Sequence, residues 1–178
     1  MDSINKQLTE DNHKDLAGSE AGKKIKELIE TAKSCFFCTR IVSGSQFSTR
    51  PMSVQKIHED GTCWFLSASD SYKNKHIEED SSVQLLFQGS AHSDFLTLYG
   101  KAEISTDKNI IKELWEPILK TWFTEGENDP RITVIKFDPQ DGYYWDTKHG
   151  RLVAFAKMIA GAVTGQTLDD SIEGKLKV

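Results

Sequence analysis

The sequence predicts a mainly β protein with flanking helices (an α+β fold), in which six or seven short antiparallel strands form a β-barrel or a sandwich. Three observations favour this fold class. Several runs rich in aromatic and β-branched residues are separated by short turn sequences. The pair Asp60-Gly61 lies between two such runs, as in a β-hairpin. A chain of 178 residues is also long enough to bury a substantial core within one domain.

The predicted elements follow one another in a regular order. The first helix, at residues 21–33, places Ile25, Leu28 and Ile29 at helical spacing. The other predicted helices are residues 69–80, 107–123 and 151–163. Pro117 is expected to kink or break the helix that contains it. The predicted strands are residues 34–42, 49–57, 62–68, 82–89, 95–104, 131–139 and 142–147.

A single folded domain is predicted at residues 19–165, because the chain contains no internal repeat, low-complexity tract or obvious linker. Residues 1–18 show no convincing periodicity and are expected to form a flexible N-terminal arm. Residues 166–178 are expected to form a polar C-terminal tail.

The charge and hydropathy of the chain argue against several classes of partner. With 22 Lys and Arg against 27 Asp and Glu, the net charge is -5, which gives no reason to expect nucleic-acid binding. No run approaches the roughly 20 apolar residues of a membrane helix. The polar N-terminus lacks the apolar core of a signal peptide. We therefore expect a cytoplasmic protein with no nucleic-acid or membrane partner.

The pair Cys35-x-x-Cys38 has the spacing of a redox or zinc motif, but it lies in a predicted strand. Residues three apart in a strand point to opposite faces, and no second pair of ligands is available for zinc. The third cysteine, Cys63, leaves an odd number, which argues against a disulfide framework. The five histidines are scattered without metal-ligand spacing. We expect buried, chemically inert cysteines and no metal site.

The segment from Arg50 to Lys75 is the most informative for ligand binding. The phosphate-binding motifs GxGxxG and GxxxxGK[ST] are both absent. Pairing within the predicted hairpin would bring Arg50 near Ser67, and the start of the next helix adds Ser71 and Lys73. Positive charge, hydroxyls and free backbone N–H groups suit a phosphate. The alternative is an ordinary strand, turn and solvated helix face.

Six segments in fixed order carry a resemblance to a known family. They are STRPM, WFLSASDSYKNKHI, SVQLLF, FLTLYGKAEI, LWEPILKTWFTEGENDP and GYYWDTKHGRL. Over roughly residues 20–165 the chain resembles the bacterial general stress proteins, which are similar to pyridoxamine 5′-phosphate oxidase. The resemblance implies a six- to seven-stranded antiparallel split barrel that binds FMN.

The same resemblance implies the cofactor-binding residues. They are Arg50, Pro51, Met52, Ser53, Phe65, Leu66, Ser67, Ser71, Lys73, Trp145 and Arg151. Trp145 and Arg151 would reach the flavin from the partner subunit, which implies a homodimer with flavin sites at the subunit interface. Tyr72 stands where the oxidase has an arginine, so phosphate binding is expected to be weaker.

Other aromatic and apolar residues have simpler interpretations. Trp115 and Trp122 lie on the apolar face of a predicted helix and are expected in the core. Trp145 is interpreted either as a core residue or as a residue that packs against the flavin. Periodicity alone does not assign four apolar strand residues to the inside or the outside. They are Phe65, Leu85, Phe87 and Leu98.

The resemblance implies a flavin-binding stress-response protein and a flavin-dependent oxidoreductase. Two alternatives are a non-catalytic flavin-binding or storage protein and a split barrel that binds another ligand, such as haem or deazaflavin. Pyridoxamine phosphate oxidation itself is not expected, because an apolar segment at residues 152–163 replaces the oxidase's C-terminal signature. FMN is expected to bind more tightly than FAD. No catalytic acid or base can be assigned.

Overall fold

The computed structural model describes residues 12–41, 47–91, 93–150, 153, 156–157, 159–160 and 170–178, and it confirms a mainly β fold with flanking helices. The strands are β1 (Leu16–Ala17), β2 (Ser34–Thr39), β3 (Ser48–Ser53), β4 (Lys56–Ile57), β5 (Cys63–Ala68), β6 (Ser82–Gln88), β7 (Phe95–Ser105), β8 (Ile132–Thr147) and β9 (Ser171–Lys177). The helices are α1 (Ser19–Ala32), α2 (Tyr72–Glu79) and α3 (Lys108–Leu114), with 3₁₀ helices at Pro117–Thr121 and Gly126–Asn128.

The nine strands form one sheet in the order β1-β9-β8-β7-β6-β2-β3, with β5 attached to β8 and β4 to β5. All pairs are antiparallel except β1 with β9. Within the described residues this path ends at β1 and β3, so backbone hydrogen bonding does not close the sheet into a ring. Strand β8 holds the sheet together, since its first half pairs with β5 and its second half with β9.

The two strands predicted at residues 131–139 and 142–147 are in fact one strand, β8. The turn-like sequence between them stays extended because β7 pairs along its whole length, with one irregularity at Tyr99/Gly100. Close approach requires glycine here. A Cβ on Gly100 would lie 2.1 Å from the Asp138 carbonyl oxygen, and one on Gly142 would lie 2.7 Å from that of Thr97. The Asp-Gly pair at 141–142 therefore packs against β7 instead of turning.

Residues predicted as termini outside the domain also belong to the sheet. The expected tail contains β9, which pairs with the second half of β8 and buries Leu176 in the core. The expected arm contains β1, which pairs with β9, and Lys14 donates its backbone N–H to the Glu173 carbonyl at 2.8 Å. Period-two alternation in β9 is short and interrupted by Gly174, so the sequence pattern was weak. Residues 1–11 and 161–169 lie outside the described residues.

The main core lies between α1 and the inner faces of the sheet. Periodicity did not assign four apolar strand residues to the inside or the outside of the sheet. All four are buried in this core: Phe65, Leu85, Phe87 and Leu98. Their neighbours along the strands face outward, because successive strand residues alternate between faces. Leu86 is half-buried and Tyr99 is exposed. The sheet therefore has a second, partly apolar outer face.

The helix predicted at residues 107–123 stops at Leu114, and the Pro117–Thr121 3₁₀ helix follows it. Glu116 is extended, with φ of -123° and ψ of 145°, as a residue before proline prefers. This break confirms the predicted effect of Pro117. It also changes the phase of the helical pattern, so that Trp115 is half-buried but Trp122 is exposed. Trp115 packs against a second apolar cluster, which consists of Leu66, Ile111, Leu114, Leu119, Phe123, Ile132 and Val134. The prediction that Trp122 lies in the core is wrong.

Most of the helix predicted at residues 151–163 lies outside the described residues. The residues of this segment that are described, 153, 156–157 and 159–160, are helical. A search of the described part of the chain finds no helix with the length and apolar character needed to cross a membrane.

Asp170 connects the segment after β8 to the start of β9. Its carboxylate accepts hydrogen bonds from the His149 ring at 2.6 Å and from the Lys157 ammonium at 2.7 Å. Burial alone would raise the pKa of the Asp170 carboxyl, but the hydrogen bonds from His149 and Lys157 outweigh burial and lower the pKa to about 2. The charged form of Asp170 is therefore favoured in the folded state.

We expect Asp170→Asn to lower the free energy of unfolding at neutral pH by about 1–3 kcal/mol. The folded-state pKa is below the unfolded value, so the contribution of Asp170 is complete above roughly pH 5 and is lost as the pH falls towards 2. Urea unfolding of both proteins at pH 7, 5 and 3 measures this, with Asp141→Asn, an exposed aspartate on β8, as the control. A difference between wild type and Asp170→Asn that does not shrink with acid would contradict this assignment.

Candidate functional site

A cavity of about 560 Å³, here called the Lys73 cavity, opens where β3 and β5 separate. The predicted pairing of these two strands is wrong over most of its length. β3 pairs with β2, and only β4 pairs with β5, with a last bond from Gln55 N–H to the Trp64 carbonyl at 2.8 Å. The cavity is lined by Ser34, Pro51, Met52, Ser53, Gln55, Leu66, Ser67, Ala68, Lys73, Leu119, Trp122 and Phe123. Six of these are predicted cofactor-binding residues.

Lys73 gives the cavity its positive charge, and Arg50, which does not line the cavity, lies close enough to act on Lys73 electrostatically. Burial lowers the pKa of the half-buried Lys73 ammonium, and the nearby positive charge of Arg50 lowers it further, whereas Asp70 partly offsets the effect. Burial also lowers the pKa of Arg50, whose Nη1 donates to Thr39 Oγ1 at 3.0 Å. Within the described residues neither cation has a carboxylate oxygen within 4.0 Å. A half-buried ammonium with a second cation near it, and with no carboxylate in direct contact with either among the described residues, suits an anion.

A hydrogen-bond network of four side chains connects Ser67, which lines the cavity, to α2 and β8. Ser67 Oγ donates to Asn74 Oδ1 at 2.6 Å and lies 3.2 Å from Ser71 Oγ. Asn74 Nδ2 donates to Thr133 Oγ1 at 2.9 Å, and that hydroxyl donates to the Ser67 carbonyl at 3.0 Å. Ser71 also caps α2 by accepting from the Asn74 backbone N–H. The network holds Ser67 at the cavity and orients the first turn of α2, which carries Lys73.

The predicted cofactor-binding residues Phe65 and Trp145 do not line the Lys73 cavity. Phe65 is fully buried in the core, with its ring edge against Phe37 at 5.3 Å between centroids. Trp145 lines a different cavity. Arg151 lies outside the described residues. Arg50 and Ser71 do not line the Lys73 cavity, but each acts on a residue that does.

The second cavity, here called the sheet-face cavity, has a volume of about 620 Å³ and lies on the outer face of β2, β6, β7 and β8. Phe36 and Tyr99 are exposed there, Leu86 and Trp145 are half-buried, and Gln84 donates to Thr97 Oγ1 at 3.0 Å. Ser34 and Pro51 line both cavities, so the two adjoin along β2 and β3. Within one chain, however, Trp145 and Lys73 line different cavities.

Sequence reasoning missed several residues of the Lys73 cavity. Leu119 and Trp122 fit the apolar pattern of the predicted helix, so that pattern gave no sign of a ligand site. Asn74, which belongs to the hydrogen-bond network without lining the cavity, carries no distinctive signal as a single polar residue in a helix. Pro117 was the available clue, because the break there leaves Leu119 and Phe123 buried but exposes Trp122 at the cavity.

The cysteines are buried, as predicted. Cys35 and Cys63 lie in the main core, and burial is the largest cause that raises the pKa of each thiol. Cys38 is buried on the other face of β2, with its sulfur 3.4 Å from Thr49 Oγ1. All three are free thiols. Raised pKa values disfavour the reactive thiolate, and their inertness stays a prediction. The described residues contain no group of three or more His, Cys, Asp or Glu side chains arranged for a metal.

The chain is similar to known proteins both in sequence and in fold. The profile of the family described as pyridoxamine 5′-phosphate oxidase like matches residues 20–169. A curated relative, protein bli-3 of Neurospora crassa, is 26% identical over 110 residues, which are 57% of this chain and 53% of that protein. The matched segment thus spans about half the length of that relative.

Solved structures with the same fold include several general stress proteins. A candidate general stress protein 26 from a Jannaschia species is 22% identical, with a TM-score of 0.74 over 90% of this chain and 99% of that one. General stress protein 26 from Bacillus anthracis is 24% identical, with a TM-score of 0.59 over 69% and 92%. A general stress protein described as FMN/FAD binding, from Xanthomonas citri, is 21% identical, with a TM-score of 0.57 over 67% and 84%. These similarities establish the split-barrel fold.

Proposed function

The chain belongs to the pyridoxamine 5′-phosphate oxidase-like family, and from that premise we propose that it binds a flavin in the Lys73 cavity. One observation carries the proposal, namely that Lys73 lines a cavity with an apolar wall, has Arg50 near it, and has no carboxylate in direct contact among the described residues. A flavin mononucleotide has a matching combination of an anionic phosphate and a flat, largely apolar ring. The description of the Xanthomonas citri relative as FMN/FAD binding supports the same ligand class.

The residues present fit such a cofactor. Lys73 and Arg50 would hold the phosphate, with the Ser67 hydroxyl as a further hydrogen-bonding group. Met52 and Leu66 supply apolar surface for the ring. When bound, the flavin supplies redox chemistry, and the chain's own residues bind it, orient it and limit its contact with water. We propose flavin-dependent oxidoreductase activity, tested by reduction of the bound flavin with NAD(P)H and turnover of an acceptor.

We expect FMN to bind more tightly than FAD. Lys73, with Arg50 near it, forms one compact anion site that suits a single terminal phosphate, and the described lining residues include no further cation for the second phosphate of FAD. Titration of the purified apoprotein with each flavin, followed by flavin fluorescence, measures both dissociation constants. Mass spectrometry of the cofactor released from the protein as purified checks its identity. Equal or tighter FAD binding would refute the FMN preference, and binding of neither flavin would refute the proposed function.

We further propose that two copies of the chain associate through the outer face around the sheet-face cavity. Phe36, Tyr99, Leu86 and Trp145 form a partly apolar surface on this face. Because the sheet-face cavity adjoins the Lys73 cavity at Pro51, a partner seated on it would lie beside the flavin. In a two-fold dimer Trp145 and Arg151 of the partner would then complete each site, and two equivalent sites would result.

Light scattering is expected to give twice the chain mass of 20.1 kDa. Phe36→Asp should dissociate the dimer and weaken FMN binding, because a charge on an apolar interface is costly to bury. Phe47→Asp is the matched control, since Phe47 is also more than half exposed but lines neither cavity. A wild-type monomer that keeps its flavin would rule out this arrangement, together with the roles of Trp145 and Arg151.

A further inference from the structure

Trp122 places an exposed indole side chain at the Lys73 cavity, on a backbone that is held by hydrogen bonds. Its backbone is anchored by three hydrogen bonds, in which Trp122 N–H and Phe123 N–H each donate to the Leu119 carbonyl at 3.0 Å and Arg131 Nη2 donates to the Trp122 carbonyl at 3.2 Å. Phe123 is buried beside it, 6.5 Å from Trp115 between ring centroids. Yet Trp122 itself is 63% exposed while lining the cavity. The fold holds the backbone in place and leaves the indole available to a ligand.

The charge of the cavity limits what that ligand can be. Among the described lining residues, Lys73 is the only cation, and none is a carboxylate. If the cofactor phosphate occupies Lys73 and Arg50, as the proposed function requires, the remaining lining residues offer no charge to a second ligand. They offer the indole of Trp122, the apolar side chain of Leu119 and the neutral polar groups of Ser53 and Gln55. A second phosphate or carboxylate would find no charged partner there.

We propose that Trp122 is a specificity-determining residue, and that the cavity takes, beside the flavin, a neutral, planar aromatic compound bearing a carbonyl group. The indole face stacks on the flat ring, and Leu119 packs against its edge. One N–H of the Gln55 amide donates to the Ser53 carbonyl at 3.2 Å, and the second N–H is the hydrogen-bond donor for the ligand's carbonyl oxygen. Aromatic stacking and burial of a flat ring need no charge, and the lining residues other than Lys73 are all neutral. This inference rests on the proposed function, because it takes Lys73 to be occupied by the cofactor phosphate.

Menadione, a neutral planar quinone, is the probe, and its binding to the FMN-loaded protein is followed by the change in flavin absorbance. Trp122→Ala should weaken menadione binding about tenfold or more, while Trp122→Phe should retain most of the affinity. Ile118→Ala is the matched control, because Ile118 is also 63% exposed in the same 3₁₀ segment but does not line the cavity. Pyridoxine 5′-phosphate, the anionic comparison ligand, should bind at least about tenfold more weakly than menadione.

The outcomes separate this inference from the proposed function. FMN binding by wild type together with an unchanged menadione dissociation constant in Trp122→Ala would overturn the inference alone. A loss of FMN affinity in Trp122→Ala as large as the loss of menadione affinity would place the indole against the cofactor and would also overturn it. Tighter binding of pyridoxine 5′-phosphate than of menadione would overturn the ligand class. Failure of wild type to bind FMN would overturn both.

Discussion

Lys73→Ala is expected to weaken FMN binding by about ten- to a hundredfold, because a charge-assisted hydrogen bond to phosphate contributes about 1.5–3 kcal/mol. The free energy of unfolding of the apoprotein should not fall. Burial and Arg50 both lower the pKa of Lys73, so the charged ammonium is less favourable in the folded chain than in the unfolded one. Lys73 is therefore a residue whose charge costs stability in the absence of an anion.

The measurement compares FMN titrations and urea unfolding of the apoproteins. Lys75→Ala is the matched control, since Lys75 lies on the same helix, is exposed, and places its ammonium 5.6 Å from the Tyr72 ring centroid without lining the cavity. Lys73→Met keeps an unbranched apolar side chain of similar length and removes the ammonium group with its charge and its donors. An FMN dissociation constant unchanged in both Lys73 variants would show that the anion binds elsewhere.

Phe65→Ala is expected to lower the free energy of unfolding by about 3–5 kcal/mol, the cost of removing a buried phenylalanine from a close-packed core. Phe65 is fully buried, and its ring meets that of Phe37 edge-on at 86°. Since a domain of this size is stable by only about 5–15 kcal/mol, this loss is a large part of the total. The flavin content of the purified variant should fall because part of the protein unfolds.

Urea unfolding measures the stability of Phe65→Ala, with Phe47→Ala as the exposed-phenylalanine control, for which the change should stay within about 0.5 kcal/mol. An FMN titration under conditions in which the variant is fully folded distinguishes the two roles of Phe65. The dissociation constant should stay close to that of wild type, because the side chain lies in the core. A large loss of FMN affinity in the folded variant, without loss of stability, would instead show direct contact with the flavin.

Local patterns predicted much of the fold, and the family resemblance supplied six of the residues that line the Lys73 cavity. Apolar runs bounded by turn sequences predicted the strands that became β2, β5, β6 and β7, and the periodicity of Ile25, Leu28 and Ile29 predicted α1. The lysine and hydroxyls near the start of α2 pointed to the region of the Lys73 cavity, since Ser71 and Lys73 are separated by only one residue and a helix start brings them together. These features depend on interactions between residues close in the chain, which the sequence records directly.

Only the tertiary structure decided which residues meet across the chain. Phe65 could be assigned to the core only once β5 paired with β8, because alternation shows that two faces exist but does not show which is covered. The Lys73 cavity exists because β3 pairs with β2 and leaves β5, a separation that hairpin rules do not predict. Trp122 reaches that cavity because a proline ends the preceding helical pattern, and β9 joins the sheet because β8 extends far enough to pair with it. Such contacts join segments distant in sequence, so their free energy depends on the shape of the whole sheet and leaves little trace in any local pattern.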